Sequence, residues 1–146
     1  MSNIRPKAIC ALVIAVSLYI AFAAQAEPIP QLPLQRGYYV DATVPCANAD
    51  NSSLYLVTKE GINSAQAVCK ISKIERTEPT VFSVTDTCMD LVSGSEFGET
   101  TTTYMIPDDH SFGFYSAGEA TGITRFCAQS ELPEPFSTND ISDILR

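Results

Sequence analysis

The sequence predicts an all-β protein, an antiparallel meander of about seven strands forming a small barrel or sandwich, with a short C-terminal helix and two disulfides. Three observations predict it. Val, Ile, Thr, Tyr and Phe dominate the stretches between turn residues, and such side chains suit a pleated, half-buried surface. Turn chemistry recurs at short intervals, from Asn48 and Asp50 to Ala117-Gly118. Four cysteines remain once an N-terminal leader is set aside.

The leader is read over residues 1–26. Arg5 and Lys7 lie in a short basic stretch, an apolar run follows from Ala8 to Ala24, and Ala24-Gln25-Ala26 supplies the small residues a signal peptidase needs. The run is 17 residues long, so an uncleaved anchor is the rival reading, because a membrane span takes about 20. Pro28, Pro30 and Pro33 then predict an extended linker over 27–35, followed by a single β domain over 36–146. Cys10 leaves with the leader, and Cys46, Cys69, Cys88 and Cys127 stand 19 to 39 residues apart. Metal sites need closely paired ligands, so an even set at this spacing in a small exported domain points to disulfides.

Strands are expected over 36–44, 53–58, 66–77, 80–90, 97–106, 111–116 and 122–128. Lys59-Glu60-Gly61, Glu78-Pro79, Ser93-Gly94-Ser95 and Pro107-Asp108-Asp109 supply turns between them. At the end Ser137 can cap a helix, with Asp140 three residues on and Ile141, Ile144 and Leu145 on one face. A helix of about two turns cannot stand alone, so it should dock on the sheet.

Alternation sharpens the reading. In the first strand Tyr38, Val40, Ala42, Val44 and Cys46 share a side, taken as inward; in the fourth, Phe82, Val84, Asp86 and Cys88 do. In the third, Cys69 and Ile71 agree but Ile74 is out of phase, and a one-residue bulge at Ser72-Lys73 restores it. The register then sets Ile74 against Val84, Ile71 against Asp86 and Cys69 against Cys88. An up-and-down meander puts Cys46 and Cys127 together at the other end. This favours Cys69–Cys88 with Cys46–Cys127; Cys46–Cys69 with Cys88–Cys127 is the rival, since one reversed strand exchanges them.

Charge limits the functions. The chain has 9 Lys+Arg against 17 Asp+Glu; losing Arg5 and Lys7 with the leader leaves 7 against 17, or −10. That excludes a nucleic-acid groove as a first reading, and no cofactor motif or activated nucleophile is visible. Asp108, Asp109 and His110 offer a distant metal-dependent hydrolase reading, beside the plainer one of a turn with a solvated imidazole. Asp86 and Arg125 are candidates for a buried ion pair, unless one strand phase is off by one. Tyr38, Tyr39, Tyr55, Tyr104, Tyr115, Phe112, Phe114 and Phe126 could line a cavity for a small apolar ligand or simply fill the interior. Acidity serves solubility, and it would also attract a basic protein partner. Asp86, Asp90, Glu96 and Glu99 lie close to the Ser93-Gly94-Ser95 loop and offer one acidic patch. The expectation is a monomeric, non-catalytic binding module, periplasmic or secreted, with no cofactor and no membrane contact after leader cleavage.

Two resemblances bear on this. The segments Leu34-Gln35-Arg36-Gly37-Tyr38-Tyr39-Val40, Cys46 and Arg125-Phe126-Cys127-Ala128-Gln129-Ser130-Glu131-Leu132-Pro133 resemble a family of small exported four-cysteine proteins of Gram-negative bacteria with no assigned function. That likeness spans most of 34–136 and implies no activity. Val92-Ser93-Gly94-Ser95-Glu96-Phe97-Gly98, with Tyr104 beyond, resembles the serine- and glycine-containing loop of the periplasmic lysozyme inhibitors. Those are small disulfide-bearing β-barrels whose loop enters the enzyme's cleft, which implies an inhibitor-like role for Ser93, Gly94, Ser95, Glu96, Glu99 and Tyr104. The basic residue usual near that loop is absent here, and Glu96 and Glu99 stand instead.

Overall fold

The computed structural model describes residues 26–146; the leader read over 1–26 lies outside them but for Ala26. The strands are β1 (Glu27–Pro28), β2 (Gly37–Asp41), β3 (Leu54–Val57), β4 (Ile62–Ser64), β5 (Ala67–Glu78), β6 (Val81–Asp90), β7 (Glu96–Asp108), β8 (Ser111–Ser116) and β9 (Glu119–Cys127), and the one α-helix described is α1 (Ser142–Leu145). They form one antiparallel sheet in the order β1-β5-β6-β7-β8-β9-β2-β3-β4. The sheet curls until β4 reaches β5. There the Cys69 N–H donates to Asn63 Oδ1 at 2.9 Å and the Ile71 N–H to the Glu60 carbonyl at 2.7 Å. Only a glycine tolerates this approach at position 61, where a Cβ would stand 2.2 Å from the Cys69 carbonyl oxygen.

The register of β5 on β6 carries the expected bulge. Cys69 faces Cys88, Ile71 faces Asp86, the pairing shifts past Ser72, and Ile74 faces Val84. The disulfides are Cys69–Cys88, spanning 19 residues, and Cys46–Cys127, spanning 81. All seven expected strands form, and two short ones join them. β4 is only three residues long, and β1 pairs with β5 through Glu27↔Arg76, where the two side chains also form an ion pair. Residues 27–35 are therefore extended but packed, with Leu32 buried and the Gln35 N–H bonded to the Asp109 carbonyl at 2.8 Å.

The described residues form two apolar cores. Tyr39, Val57, Ile62, Ile74, Phe82, Val84, Tyr104, Ile106 and Phe112 fill the inside of the curled sheet, closed by Leu32. Tyr38, Val40, Leu54 and Cys127 point the other way and are covered by Ala49, Leu132 and Ile141, with Phe136 and Ile144 against them. This corrects the assignment of the inner face in the first strand. Successive side chains of a strand alternate faces, so Tyr39 is inside while Tyr38 and Val40 lie outside, beneath the C-terminal tail.

That tail holds itself down. Gln129 Nε2 donates to the carbonyls of Phe136, at 2.9 Å, and Asn139, at 2.5 Å. The Asn139 carbonyl is thereby drawn away from an α-helix capped by Ser137, which sits instead in a 3-10 turn, Phe136–Thr138. The helix starts later, where Asp140 Oδ1 accepts the Ser142 N–H at 3.0 Å, and it docks on the outer core through Ile141.

Candidate functional site

The β6–β7 hairpin gathers most of what the sequence singled out, and the fold makes it project. From Glu96 to Thr101 every residue of β7 is exposed. Its tip is built around Asp90. The Asp90 carboxylate accepts the N–H groups of Val92, at 2.8 Å, and Ser93, at 2.7 Å, and the Ser93 hydroxyl at 3.1 Å. These bonds, led by the Ser93 and Val92 N–H groups, hold its pKa below the usual carboxylate range. Ser93 Oγ in turn accepts the Ser95 N–H at 3.2 Å, and the Gly94 N–H donates to the Asp90 carbonyl at 2.9 Å. Gly94 adopts φ +69°, the left-handed region glycine enters without strain. The Leu91 N–H reaches across to the Gln66 carbonyl at 2.8 Å, so the tip is braced from the β4–β5 connection as well.

What this frame displays is apolar. Val92 is 87% exposed, and Met89, Leu91, Phe97 and Val68 are also exposed at this end of the hairpin, five of the seven large exposed hydrophobic side chains among the described residues. Val68 pairs with Met89 across β5 and β6, which places it beside the tip. Glu96 sits in the same patch, opposite Met89, while Glu99 lies farther along β7, 3.5 Å from Ser72 Oγ. The sequence reading of this loop took Ser93, Gly94, Ser95 and Glu96 as its contacts, kept Val92 only as the start of the segment and left Leu91 out. An apolar pair set in turn chemistry was the available signal.

Tyr104, grouped with the loop by the sequence, lies elsewhere. It is buried in the inner core, its ring 5.8 Å from Phe112 and 5.5 Å from Phe114. Burial, with the Asp86 charge nearby, pushes its pKa up to about 12. Six of the eight aromatic residues that might have lined a cavity (Tyr39, Tyr55, Tyr104, Phe112, Phe114 and Phe126) rest on one another at 5.3 to 6.4 Å between centroids. Tyr38 lies in the outer core against Phe136, and Tyr115 is half-buried on β8.

Asp86 and Arg125 do not meet. Asp86 is in phase with Phe82 and Val84, only 6% exposed, and accepts the Thr100 hydroxyl at 3.0 Å. Arg125 is out of phase with Phe126 and sits on the outer side of β9. Its Nη2 donates to the Val44 carbonyl at 2.8 Å and its Nη1 lies 2.9 Å from Cys46 Sγ. The expected pair fails because β2 and β9 present to the outside the side chains that the sequence placed inside. The Asp90, Glu96 and Glu99 members of the acidic patch remain at the surface, and Asp86 does not.

Burial raises the Asp86 pKa above the usual range, and the Thr100 bond only partly opposes it. The folded state thus holds this proton more tightly than the unfolded chain. Its contribution is fully present below the ordinary carboxyl range and is lost as pH rises through the raised pKa. Asp86→Asn keeps an acceptor for Thr100 without the charge. It should raise the urea midpoint at pH 7 and leave it nearly unchanged at pH 3; an equal shift at both would refute the burial account.

At the β7–β8 turn, Asp108 Oδ1 accepts the His110 N–H and the Ser111 hydroxyl, both at 2.9 Å, while Asp109 Oδ1 lies 2.6 Å from His110 Nδ1. The two carboxylates are thus turned to different tasks. Tyr39, buried in the core, anchors the same turn through its hydroxyl, 2.8 Å from the Asp109 carbonyl and 2.9 Å from that of Gln35. Burial and the nearby Asp109 and Asp108 charges push this phenol well above its ordinary pKa. Among the described residues one cluster of potential metal ligands converges within 4.8 Å, Cys69, Asp86 and Cys88, and its two sulfurs are joined as a disulfide. No helix among the described residues is long and apolar enough to cross a membrane. No family model, curated protein or solved structure matches the chain.

Proposed function

We propose that this chain is an exported, non-catalytic binding module that engages a basic protein partner through the tip of the β6–β7 hairpin. The observation that carries the reading is the braced apolar tip formed by Leu91, Val92 and Phe97, flanked by Glu96 and Glu99. Large apolar side chains held rigidly in water cost little entropy to dock, and a partner that covers them gains their desolvation. The carboxylates around them steer a basic protein and set its orientation. Two disulfides and the leader-like N-terminus support an oxidising compartment. The likeness of the loop to lysozyme inhibitors makes a basic hydrolase such as lysozyme the first partner to try. We do not adopt the apolar-carrier reading, since the interior rings pack on one another.

The test is capture of envelope and secreted proteins on the immobilised oxidised protein, followed by a salt step, with lysozyme turnover assayed alongside. Val92→Asp is expected to lower capture of the salt-released partner at least tenfold, about 1.4 kcal/mol or more. Its unfolding midpoint should not move, because the side chain is 87% exposed. A variant that still captures like the parent protein would overturn the tip as the contact.

A further inference from the structure

We propose that the outward edge of β7 from Glu99 to Thr103 receives an extended basic segment of the partner as an added strand. The proposal rests on the binding-module reading and assigns that partner a conformation. The two hairpins differ in how far their strands pair. β7 pairs with β6 from Met105 to Glu96, but with β8 only at Asp108, Met105 and Tyr104. β8 itself runs on to Ser116, paired there with β9 and no longer with β7. The hairpins part beyond Tyr104, leaving one side of β7 without a neighbouring strand.

The hydrogen-bond phase identifies which groups are left open. The Ile106 N–H donates to the Thr80 carbonyl at 2.7 Å, and the ladder then runs without a shift from Val81↔Met105 to Thr87↔Glu99. Bonding alternates by residue in an antiparallel pair, so Tyr104, Thr102 and Thr100 turn their backbone groups toward β6. Glu99 and Thr101 turn theirs away where no described strand pairs with them, and Thr103 turns its N–H the same way, its carbonyl being taken up by the Tyr104↔Phe114 pairing with β8. Beyond Glu99 the register shifts between Thr87 and Met89, which bends the strand and ends the straight edge. The remaining five residues, about 17 Å at 3.3 Å per residue, match an ordinary strand in length.

Exposed edges of soluble proteins are commonly blunted by lysine, proline or a covering loop. Glu99-Thr100-Thr101-Thr102-Thr103 has none of these, and threonine favours pairing. Its charge comes from Glu99, with Glu96 just beyond, both exposed. A second copy of this chain would bring a net charge of −8 and the same two carboxylates to the edge. A basic segment is attracted where a second copy is repelled, and its main chain can use the open N–H and C=O groups.

The experiment uses the oxidised full chain and two synthetic ten-residue probes of equal charge, one alternating lysine and threonine, the other the same sequence with every backbone amide N-methylated. Only the first can donate along a strand edge. It is expected to bind at least tenfold more tightly and to slow amide exchange at Glu99, Thr101 and Thr103. Thr101→Pro removes one outward N–H while sparing the bonds to β6, and should weaken it at least fivefold. Thr101→Lys keeps that N–H, adds a repelling charge and should weaken it too, which guards against a folding defect in the proline variant. Equal binding of both probes, or protection confined to Leu91 and Val92, would overturn the proposal, as would a dimer that Thr101→Pro dissociates. Partner capture lost in Val92→Asp but intact in Thr101→Pro would overturn the edge and leave the tip reading standing; capture intact in both would overturn the reading beneath it.

Discussion

Phe112→Ala is expected to cost about 4 kcal/mol of folding stability, within the range for emptying a fully buried aromatic site. Phe112 has no exposed surface, and its ring lies 5.3 Å from Tyr39, 5.8 Å from Tyr55 and 5.8 Å from Tyr104. The two edge-to-face contacts, with Tyr55 and Tyr104, each add about 0.5–1.5 kcal/mol beyond the buried area. Collapse into the void is restricted from both sides. The Phe112 carbonyl accepts the buried Thr124 hydroxyl at 3.0 Å, and a Cβ at Gly113 would lie 2.5 Å from the Ile123 side chain, so the backbone has little room to shift. Urea unfolding should show a lower midpoint with an unchanged slope. Phe97→Ala, on the exposed tip, should stay within about 0.5 kcal/mol of the parent. A loss under about 2 kcal/mol at Phe112 would mean that the interior refills.

The paired replacement Cys46→Ser with Cys127→Ser is expected to cost about 4.5 kcal/mol, the chain-entropy value for its loop. That disulfide closes 81 residues, whereas Cys69–Cys88 closes 19, for which the same relation gives about 3 kcal/mol. The long link also supports its surroundings. Arg125 Nη1 lies against Cys46 Sγ, its Nη2 holds the Val44 carbonyl, and Cys127 is part of the outer core. Denaturant midpoints of the two double variants give the test, and the order matters more than either value. If Cys69→Ser with Cys88→Ser proved the costlier, loop length would not be what sets the contribution.

The sequence reading succeeded where one face of a strand is apolar and the other polar. In β5 the mismatch between Ile71 and Ile74 is visible only because lysine, serine and glutamate occupy the alternate positions, and from it followed the bulge, the register and one disulfide. In β2 that contrast is missing. Tyr38, Tyr39 and Val40 are all apolar and all buried, because the tail covers one face and the curled sheet the other. Alternation cannot tell inside from outside there, and the error passed to β9 and separated Arg125 from Asp86. β4 escaped notice for a different reason. Its three residues are placed by the Thr58–Gly61 turn and the Asn63 side chain, a tertiary contact rather than a strand-forming pattern. The candidate loop was legible in position but not in character, since polarity drew attention to Ser93 and Ser95 while the large apolar side chains exposed there are Leu91 and Val92.

The burial of β2 on both faces has a consequence for how the protein is made. β2 is flanked by β3 and by β9, roofed by the tail, and tied through Cys46 to a cysteine 81 positions later. Delivered from the N-terminus onward by a ribosome or a translocation pore, it must wait for almost the whole chain before half of its neighbours exist. The β5–β6–β7 meander needs only its own consecutive residues and carries its own crosslink, so it can assemble while β2 is still waiting. Long waits for distant partners slow folding. Throughout that interval Tyr38, Tyr39 and Val40 form an apolar stretch without cover, the segment that a chaperone would have most reason to hold.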